Sequence, residues 1–329
     1  MLKGSVAISL VFGVLAAING DAARAREAYI APSGSDTGSC PLSNPCLTIP
    51  YAATKGSTVV LLESFDTMAP LQLNDSISIV GRPGAFVEIP GGVLTIGNGT
   101  SFPNVTIDGL TIGAAQVGVN VRSAGIVTIR NCVFKDNYLE AIGSLDNVLS
   151  SPHLHVENTT IQNAWIGVYV AGGTQATIDN SKLLDIHNIG VYVTQSNIAA
   201  SSTVASAAAV IRNSIISGLG QSGTGAGVRA YATGPGSAAA DVEVTGTTIS
   251  YFNIGLNSEY GSGPGLTNVT VTNSTVTQNC TGFVQTGGTF SGGAPGSYFN
   301  SFGNNALRDN GVGCLGGDTS GSITSVNSQ

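Results

Sequence analysis

The apolar and polar residues of this chain alternate in short strands that recur along the sequence and end at Asn or Gly. Seven copies occupy residues 105–109, 127–131, 154–158, 176–180, 209–213, 242–246 and 269–273. Their last residues follow one another at intervals of 22 to 33 residues. A period in this range, built from strands, predicts an all-β solenoid in which each coil buries its apolar face against its neighbours.

Alternation with a period of two assigns each strand residue to one face of the coil. In the first copy Val105 and Ile107 point inward, so Thr106 and Asp108 point outward. The same alignment predicts an outward column of mixed charge, formed by Asp108, Arg130, Glu157, Asp179 and Arg212. We interpret this column as a solvated ladder of ion pairs, each contributing well under about 1 kcal/mol.

The residue that ends each copy is expected to turn the chain at a corner of the coil. Gly adopts left-handed backbone geometry freely, and Asn adopts it at lower cost than most residues with a side chain. The Asn amides are expected to hydrogen-bond from coil to coil as a ladder, formed by Asn131, Asn158, Asn180, Asn213 and Asn273. We interpret these residues as structural.

A third strand follows each corner, and its outward residues are less uniform than the Thr and Ser of the first strand. One outward column contains Asn120, Gly143, Tyr169, Tyr192, Arg229, Asn257 and Val284. A second contains Arg122, Leu145, Ala171, Thr194, Tyr231, Glu259 and Thr286. Long variable loops follow this strand at 145–153, 194–208, 230–240, 259–268 and 286–297. The aromatic and charged side chains are the main candidates for function.

The first 25 residues have the pattern of a secretory signal peptide. Lys3 precedes an apolar stretch at 6–18, and Ala23-Arg24-Ala25 provides a small-x-small cleavage site. The apolar stretch is too short to span a bilayer. We therefore expect a secreted or periplasmic protein. Its predicted parts are the signal peptide (1–25), an N-terminal cap with a cysteine loop (26–75), β-helix coils (76–297) and a C-terminal cap and tail (298–329).

Composition narrows the range of partners. Only 9% of the 329 residues are charged and the net charge is −7, which argues against electrostatic binding of nucleic acid or anionic lipid. Cys40 and Cys46 lie in one loop and are predicted to form a disulfide. Cys280 and Cys314 are candidates for a second bridge, and Cys132 is expected to be a buried thiol. No Cys or His spacing suggests zinc, so neither a metal nor a cofactor is expected.

The coil length, the Asn corner and the order of the three strands resemble the right-handed parallel β-helix of the pectin-lyase-like superfamily over roughly residues 76–310. The segment 29–36 with Cys40 and Cys46, and the tail 301–311, resemble a group of secreted bacterial β-helix repeat proteins that mostly lack an assigned activity. In the superfamily's enzymes, substrate lies over the strand that precedes the longest loops. The resemblance implies that Tyr169, Tyr192, Arg229, Tyr231 and Glu259 occupy the position of such a cleft.

The catalytic signatures of that superfamily are absent from the sequence. A polygalacturonase-like site would need Asn-Thr-Asp, Asp-Asp, Gly-His-Gly and Arg-Ile-Lys, and none occurs. Glycoside hydrolysis needs two carboxylates at a defined separation, and Ca²⁺-dependent elimination needs clustered carboxylates. Outward acids on the third strand reduce to Glu259, with Asp241 and Asp146 expected on loops. A metal-free lyase using Arg229 with Tyr231 or Tyr192, beside Glu259, is the remaining catalytic arrangement.

The sequence favours a non-catalytic protein that presents a polysaccharide-binding or adhesive surface. The predicted ligand contacts are Tyr169, Tyr192, Arg229, Tyr231 and Asn257. One alternative is a polysaccharide lyase or hydrolase acting on acidic polysaccharide, in which Arg229, Glu259 and Tyr231 converge in a groove. A second is a structural envelope component, in which loops or another chain cover the tyrosines. The sequence assigns no oligomeric state.

Overall fold

A computed structural model describes residues 26–144, 151–195, 205–220, 225–233, 238–261, 265–287, 296–312, 314, 316–320 and 324–326. The predicted signal peptide at 1–25 lies outside these ranges, as does much of the predicted loops. The described strands stack in parallel as coils of a right-handed β-helix, which confirms the predicted fold class. Each regular coil contributes one strand to each of three sheets.

Sheet 1 contains the strands that the repeats predicted. It comprises β1 (Glu27–Ile30), β2 (Thr58–Leu61), β4 (Ile77–Gly81), β7 (Val105–Asp108), β10 (Ile126–Arg130), β12 (His153–Glu157), β14 (Gln175–Asp179), β17 (Ala207–Arg212), β20 (Ala239–Thr245), β23 (Leu266–Thr272), β26 (Ser297–Phe302) and β29 (Thr324–Val326). The sheet runs without interruption through the predicted cap boundaries near 76 and 298. Those boundaries stay predictions.

Sheet 2 begins after the Asn or Gly corner, and sheet 3 follows a bend in the chain. Sheet 2 comprises β5 (Phe86–Glu88), β8 (Thr111–Gly113), the first halves of β11 (Val133–Ser144) and β13 (Thr160–Ala171), β15 (Lys182–Ile186), β18 (Ile215–Gly218), β21 (Thr248–Ser250), β24 (Thr275–Thr277) and β27 (Ala306–Arg308). Sheet 3 comprises β3 (Leu71–Leu73), β6 (Val93–Ile96), β9 (Val117–Val121), the second halves of β11 and β13, β16 (Ile189–Thr194), β19 (Ala226–Ala232), β22 (Ile254–Tyr260), β25 (Thr281–Thr286) and β28 (Thr319–Ser320).

The predicted register of sheet 1 is confirmed. Arg130 pairs with Asp108 on one side and with Glu157 on the other, and Asp179 pairs with Arg212. Val127 and Ile129, one residue to either side of Thr128, are fully buried inside the coil. The Arg130 Nε lies 2.9 Å from the Asp108 carboxylate, but the Arg130 side chain is 49% exposed. Solvent screening therefore keeps the contribution of this pair small.

The corner residues have the left-handed backbone that the sequence predicted. The φ angles of the five corner Asn residues lie between 46° and 54°, and those of Gly109 and Gly246 are 70° and 60°. Asn180 donates to Asn158, whereas Asn131 and Asn213 donate to the carboxylates of Asp108 and Asp179. These amides are exposed. The corner is therefore held by backbone geometry and by a mixed amide and carboxylate series.

A buried hydroxyl ladder, which the strand pattern did not predict, lies immediately after the corner. It consists of Thr159, Ser181, Ser214, Thr247 and Ser274, each at most 2% exposed. Each hydroxyl accepts from the backbone N–H of the preceding member and donates to the carbonyl two residues before it. Cys132 occupies the first position as a buried free thiol, as expected, and burial raises its pKa to about 11.

The N-terminal end carries a feature that the strand pattern did not predict. A short helix, α1 (Ile49–Ala53), begins at Thr48, whose hydroxyl caps it by accepting from the Tyr51 N–H, and Pro50 occupies its first turn. Cys40 and Cys46 form a disulfide beside this helix, and Cys280 and Cys314 form a second one. No helix in the described ranges is long and apolar enough to cross a membrane.

The expected loop position of Asp241 is wrong. Asp241 lies within β20, where it pairs with Ala208 and Asn268 on the neighbouring strands. The Ala-rich segment before it also joins the sheet, where Ala240 pairs with Ala207 and Thr267. Asp146, the other acid expected on a loop, lies outside the described residues.

Candidate functional site

The candidate site is the outer face of sheet 3, and the structure aligns its residues as the sequence predicted. Tyr169 pairs with Tyr192, Tyr192 with Arg229, and Arg229 with Asn257. In the adjacent column Tyr231 pairs with Thr194 and Glu259. These side chains point outward because strict alternation places Val168, Val170, Val191 and Val193 in the core. We call Tyr169, Tyr192, Arg229, Tyr231 and Glu259 the sheet 3 stripe.

The stripe is a continuous stack of rings and one guanidinium. The ring centroids of Tyr169 and Tyr192 are 5.3 Å apart and the planes are tilted by 46°. The guanidinium carbon of Arg229 lies 5.4 Å from the Tyr192 ring centroid and 5.1 Å from that of Tyr231. Both distances are within the range of cation–π attraction. The two tyrosines are half-buried and tilted, so they form a stepped platform and not a flat plane.

The charge of Arg229 is balanced within the stripe. Its guanidinium lies 2.7 Å from the Glu259 carboxylate, and the two side chains are 26% and 28% exposed. The Asn257 amide donates to the same carboxylate at 3.0 Å. Asn257 is only 5% exposed, so it presents little surface, and its Oδ1 has no partner among the described residues. The stripe is therefore polar and neutral overall, and Asn257 serves mainly to orient Glu259.

The titration of Tyr192 is set mainly by its surroundings. Burial raises the pKa of its phenol above the ordinary value, although the nearby Arg229 charge acts in the opposite direction. Tyr192 therefore stays protonated at neutral pH and remains a hydrogen-bond donor. Arg229 is engaged in its ion pair with Glu259. A protonated phenol and an ion-paired guanidinium are both poorly placed to remove a proton from a substrate.

The acidic residues of sheet 3 are far apart. Glu140 lies beside Gly143, because its carboxylate occupies the space that a side chain at Gly143 would need. Gly143 pairs with Tyr169, so Glu140 belongs to the coil next to the Tyr169 end of the stripe. Glu259 lies four coils farther along. At the usual strand spacing this separates the two acids by about 19 Å, well outside the 5–9.5 Å found in glycosidases. Within the described ranges, no group of three or more His, Cys, Asp or Glu residues is arranged to hold a metal ion.

An acidic pair lies instead on sheet 1, which the strand pattern did not indicate. Asp241 and Glu243 point outward from β20 and line a cavity of about 240 Å³ with Asn268 and Thr270. Two positions along a strand correspond to roughly 7 Å between Cα atoms. Burial raises the pKa of Asp241, which favours its protonated form. The period-two pattern could have revealed this pair once Asp241 was assigned to a strand.

Comparison with a family model supports the fold. The family model of the right-handed β-helix region matches residues 91–329. The solved structure of pectate lyase Pel9A is 13% identical, with 92% of this chain and 78% of that chain aligned and a TM-score of 0.44. The catalytic domain of a GH87 α-1,3-glucanase in complex with nigerose is 11% identical, with 93% and 68% aligned and a TM-score of 0.47. A search of curated proteins finds no match.

Proposed function

This chain belongs to the family of right-handed β-helix proteins, and from that premise we propose that it binds polysaccharide through the sheet 3 stripe. The observation that carries the proposal is the stack of Tyr169, Tyr192, Arg229 and Tyr231 on one outer face. Aromatic rings present apolar faces with a polar edge, which suits the alternating CH and hydroxyl surfaces of sugars. Successive coils repeat this contact along the length of a polymer.

The neutral charge of the stripe affects which polysaccharides it would bind. Because Glu259 balances Arg229, a uronate has to compete with an existing ion pair for the guanidinium. Recognition would then rest on ring contacts and hydrogen bonds more than on net charge. We expect retention on a polymer to change little with salt, since screening acts mainly on unbalanced charges. The signal peptide predicted at 1–25 would deliver this surface to the periplasm or the exterior.

Paired substitutions test the proposal. Replacing Tyr169 and Tyr192 together with Ala should abolish retention on the polysaccharide that the unaltered protein binds. Tyr298→Ala is the matched control, since Tyr298 is 40% exposed on sheet 1. The control should be retained like the unaltered protein. Unchanged retention of the Tyr169/Tyr192 variant, at an unchanged melting temperature, would refute the role of the stripe.

A hydrolase is the second candidate, and the Asp241 and Glu243 pair is the observation that favours it. Their spacing along β20 is compatible with the carboxylate separation of inverting glycosidases. The raised pKa of Asp241 suits a general acid, with Glu243 as the base. Release of reducing ends that Asp241→Asn abolishes would establish this reading. Release that persists in this variant would exclude the pair as its source.

The lyase alternative is less well supported by the site. Its base would be Arg229 or a tyrosine, but Arg229 is ion-paired and Tyr192 has a raised pKa. In the structural alternative, loops or another chain would cover Tyr169 and Tyr192. Among the described residues, both side chains are only half-buried, so part of each ring stays exposed. Formation of unsaturated uronides, followed by ultraviolet absorbance and lost in Arg229→Ala, would restore the lyase reading.

A further inference from the structure

A column of exposed residues crosses successive coils on the bend between sheets 2 and 3. Backbone pairing aligns four of these residues, and a fifth lies at the end of the column: Tyr138, Trp165, His187, Leu219 and Tyr251. Coils lie about 4.8 Å apart, so the column extends about 19 Å along the solenoid. We call these five residues the bend ridge.

The bend ridge leaves a large apolar area open to solvent. Tyr138, Trp165 and Tyr251 are 80%, 49% and 44% exposed. Leu219 is 57% exposed, and Leu139, next to Tyr138, is 39% exposed. With about 200 Å² for a whole aromatic side chain and about 110 Å² for a leucine, these fractions leave about 450 Å² of apolar surface. On a monomer, a contiguous patch of this size is often functional.

The polar groups beside the bend ridge are already paired with one another. The Asn163 amide donates to the Asp136 carboxylate at 2.6 Å, and its Oδ1 lies 2.6 Å from the Nε2 of His187. The Gln162 amide donates to the Asp185 carboxylate at 3.0 Å. These bonds stay in place when another surface covers the ridge. Covering it therefore leaves few polar groups without partners, which keeps the desolvation cost low.

The charge beside the bend ridge favours contact with an identical surface. Lys135 precedes Asp136 on one strand, and Lys182 lies on the same strand as Asp185. These four charges cancel, whereas the whole chain carries a net charge of −7. Two copies can therefore approach each other through this face without the like-charge repulsion that the net charge otherwise produces.

The bend ridge also has a cavity beside Trp165. Its volume is about 250 Å³ and it is lined by Asp136, Asn137, Tyr138, Asn163, Trp165 and His187. Trp165 is stacked on His187, with ring centroids 6.4 Å apart and planes inclined by 20°, which holds the indole in place at the cavity. Leu219 lies exposed two coils away. An exposed aliphatic side chain and a cavity on one face are the two halves of a self-complementary contact.

We propose that the bend ridge is the contact surface of a homodimer. In an antiparallel pair, Leu219 of each copy enters the cavity beside Trp165 of the other, so the same contact forms twice across a two-fold axis. A standard interface covers about 800 Å² on each partner, and about 65% of a homodimer interface is apolar. This corresponds to roughly 500 Å² of apolar surface on each partner, close to the area that the ridge exposes.

Sedimentation velocity of the full protein over about 1 to 100 μM tests the proposal, since interfaces of this size bind at micromolar concentration or below. We expect a dimer at the upper end of this range. Trp165 is the only tryptophan of the chain, so its emission should shift to shorter wavelength as the dimer forms and covers the indole. A monomer at every concentration, or a dimer in which Trp165 emission is unchanged, overturns the proposal.

Variants locate the contact. Leu219→Asp places a charge in the interface and should weaken dimerisation at least tenfold without lowering the melting temperature, because Leu219 is exposed in the monomer. Leu42→Asp is the matched control, since Leu42 is 52% exposed on the cysteine loop, and it should dimerise like the unaltered protein. A dimer that persists in Leu219→Asp, or that Leu42→Asp also abolishes, would contradict a contact through the ridge.

The sheet 3 stripe provides the test of independence. The Tyr169/Tyr192 double Ala variant should dimerise like the unaltered protein, whether or not it is retained on polysaccharide. A Trp165→Ala variant should lose the dimer and keep polysaccharide retention. Loss of retention in Trp165→Ala, with an unaltered protein that is monomeric, would show that the ridge contacts polysaccharide and would overturn the homodimer.

Discussion

The buried hydroxyl ladder gives a quantitative prediction for the stability of the coils. Ser181 Oγ accepts from the Thr159 N–H at 3.2 Å and donates to the Asp179 carbonyl at 2.8 Å. In Ser181→Ala the Asp179 carbonyl keeps the N–H of Asn158, which donates to it at 3.2 Å. The Thr159 N–H is left as a single buried donor without a partner. Such a loss costs about 1–3 kcal/mol.

The assay is denaturant unfolding of Ser181→Ala against a Ser→Ala control outside the ladder. Ser217 is half-buried on sheet 2 and provides that control. Ser217→Ala should change the free energy of unfolding by less than about 0.5 kcal/mol. Equal free energies of unfolding for the two variants would refute the view that the buried hydroxyl ladder stabilises the stacked coils.

Three further predictions concern single residues. Glu259→Gln should free Arg229 from its ion pair and make retention on acidic polysaccharide stronger and salt-sensitive. Column elution at rising salt measures this, and salt-independent retention of the variant would contradict the view that Glu259 balances the Arg229 charge. Asp241→Asn should stabilise the protein at neutral pH. The folded pKa of Asp241 is raised, so its ionisation destabilises the fold as pH rises, and the gain should vanish at acidic pH in thermal melts. Asn180→Gly should preserve stability better than Asn180→Ala, since φ is 46° there; the reverse order in unfolding experiments would contradict this.

The alternation of residues predicted much of the fold and the alignment of the stripe. Val168 and Val170 point inward, so Tyr169 had to point outward, and the repeat then placed it beside Tyr192. Alternation assigns a face, but it does not say how far a neighbouring side chain covers an outward residue. The burial of Asn257 and the diagonal pairing of Arg229 with Glu259 therefore required the structure.

Other features follow from contacts that a single repeat does not display. Ser181 follows a corner Asn and resembles any polar turn residue in sequence, yet stacking buries it between two coils. β11 continues through the bend between sheets 2 and 3, and its register shifts between Asn137 and Glu140. A period of two cannot be followed across such a shift. Asp241 was misassigned because its Ala-rich flank lacks the Val and Ile pattern of the other strands.

The measurement that tests the central claim most directly is incubation of the protein with pectin, alginate, hyaluronan and bacterial exopolysaccharides, with retention and product formation followed on the same samples. The account predicts retention on at least one polymer, lost in the Tyr169/Tyr192 double Ala variant, with no release of reducing ends or unsaturated products. Product formation that Asp241→Asn or Arg229→Ala abolishes would contradict the binding reading and establish an enzyme. Absence of both retention and products would contradict any polysaccharide function and favour a structural rod.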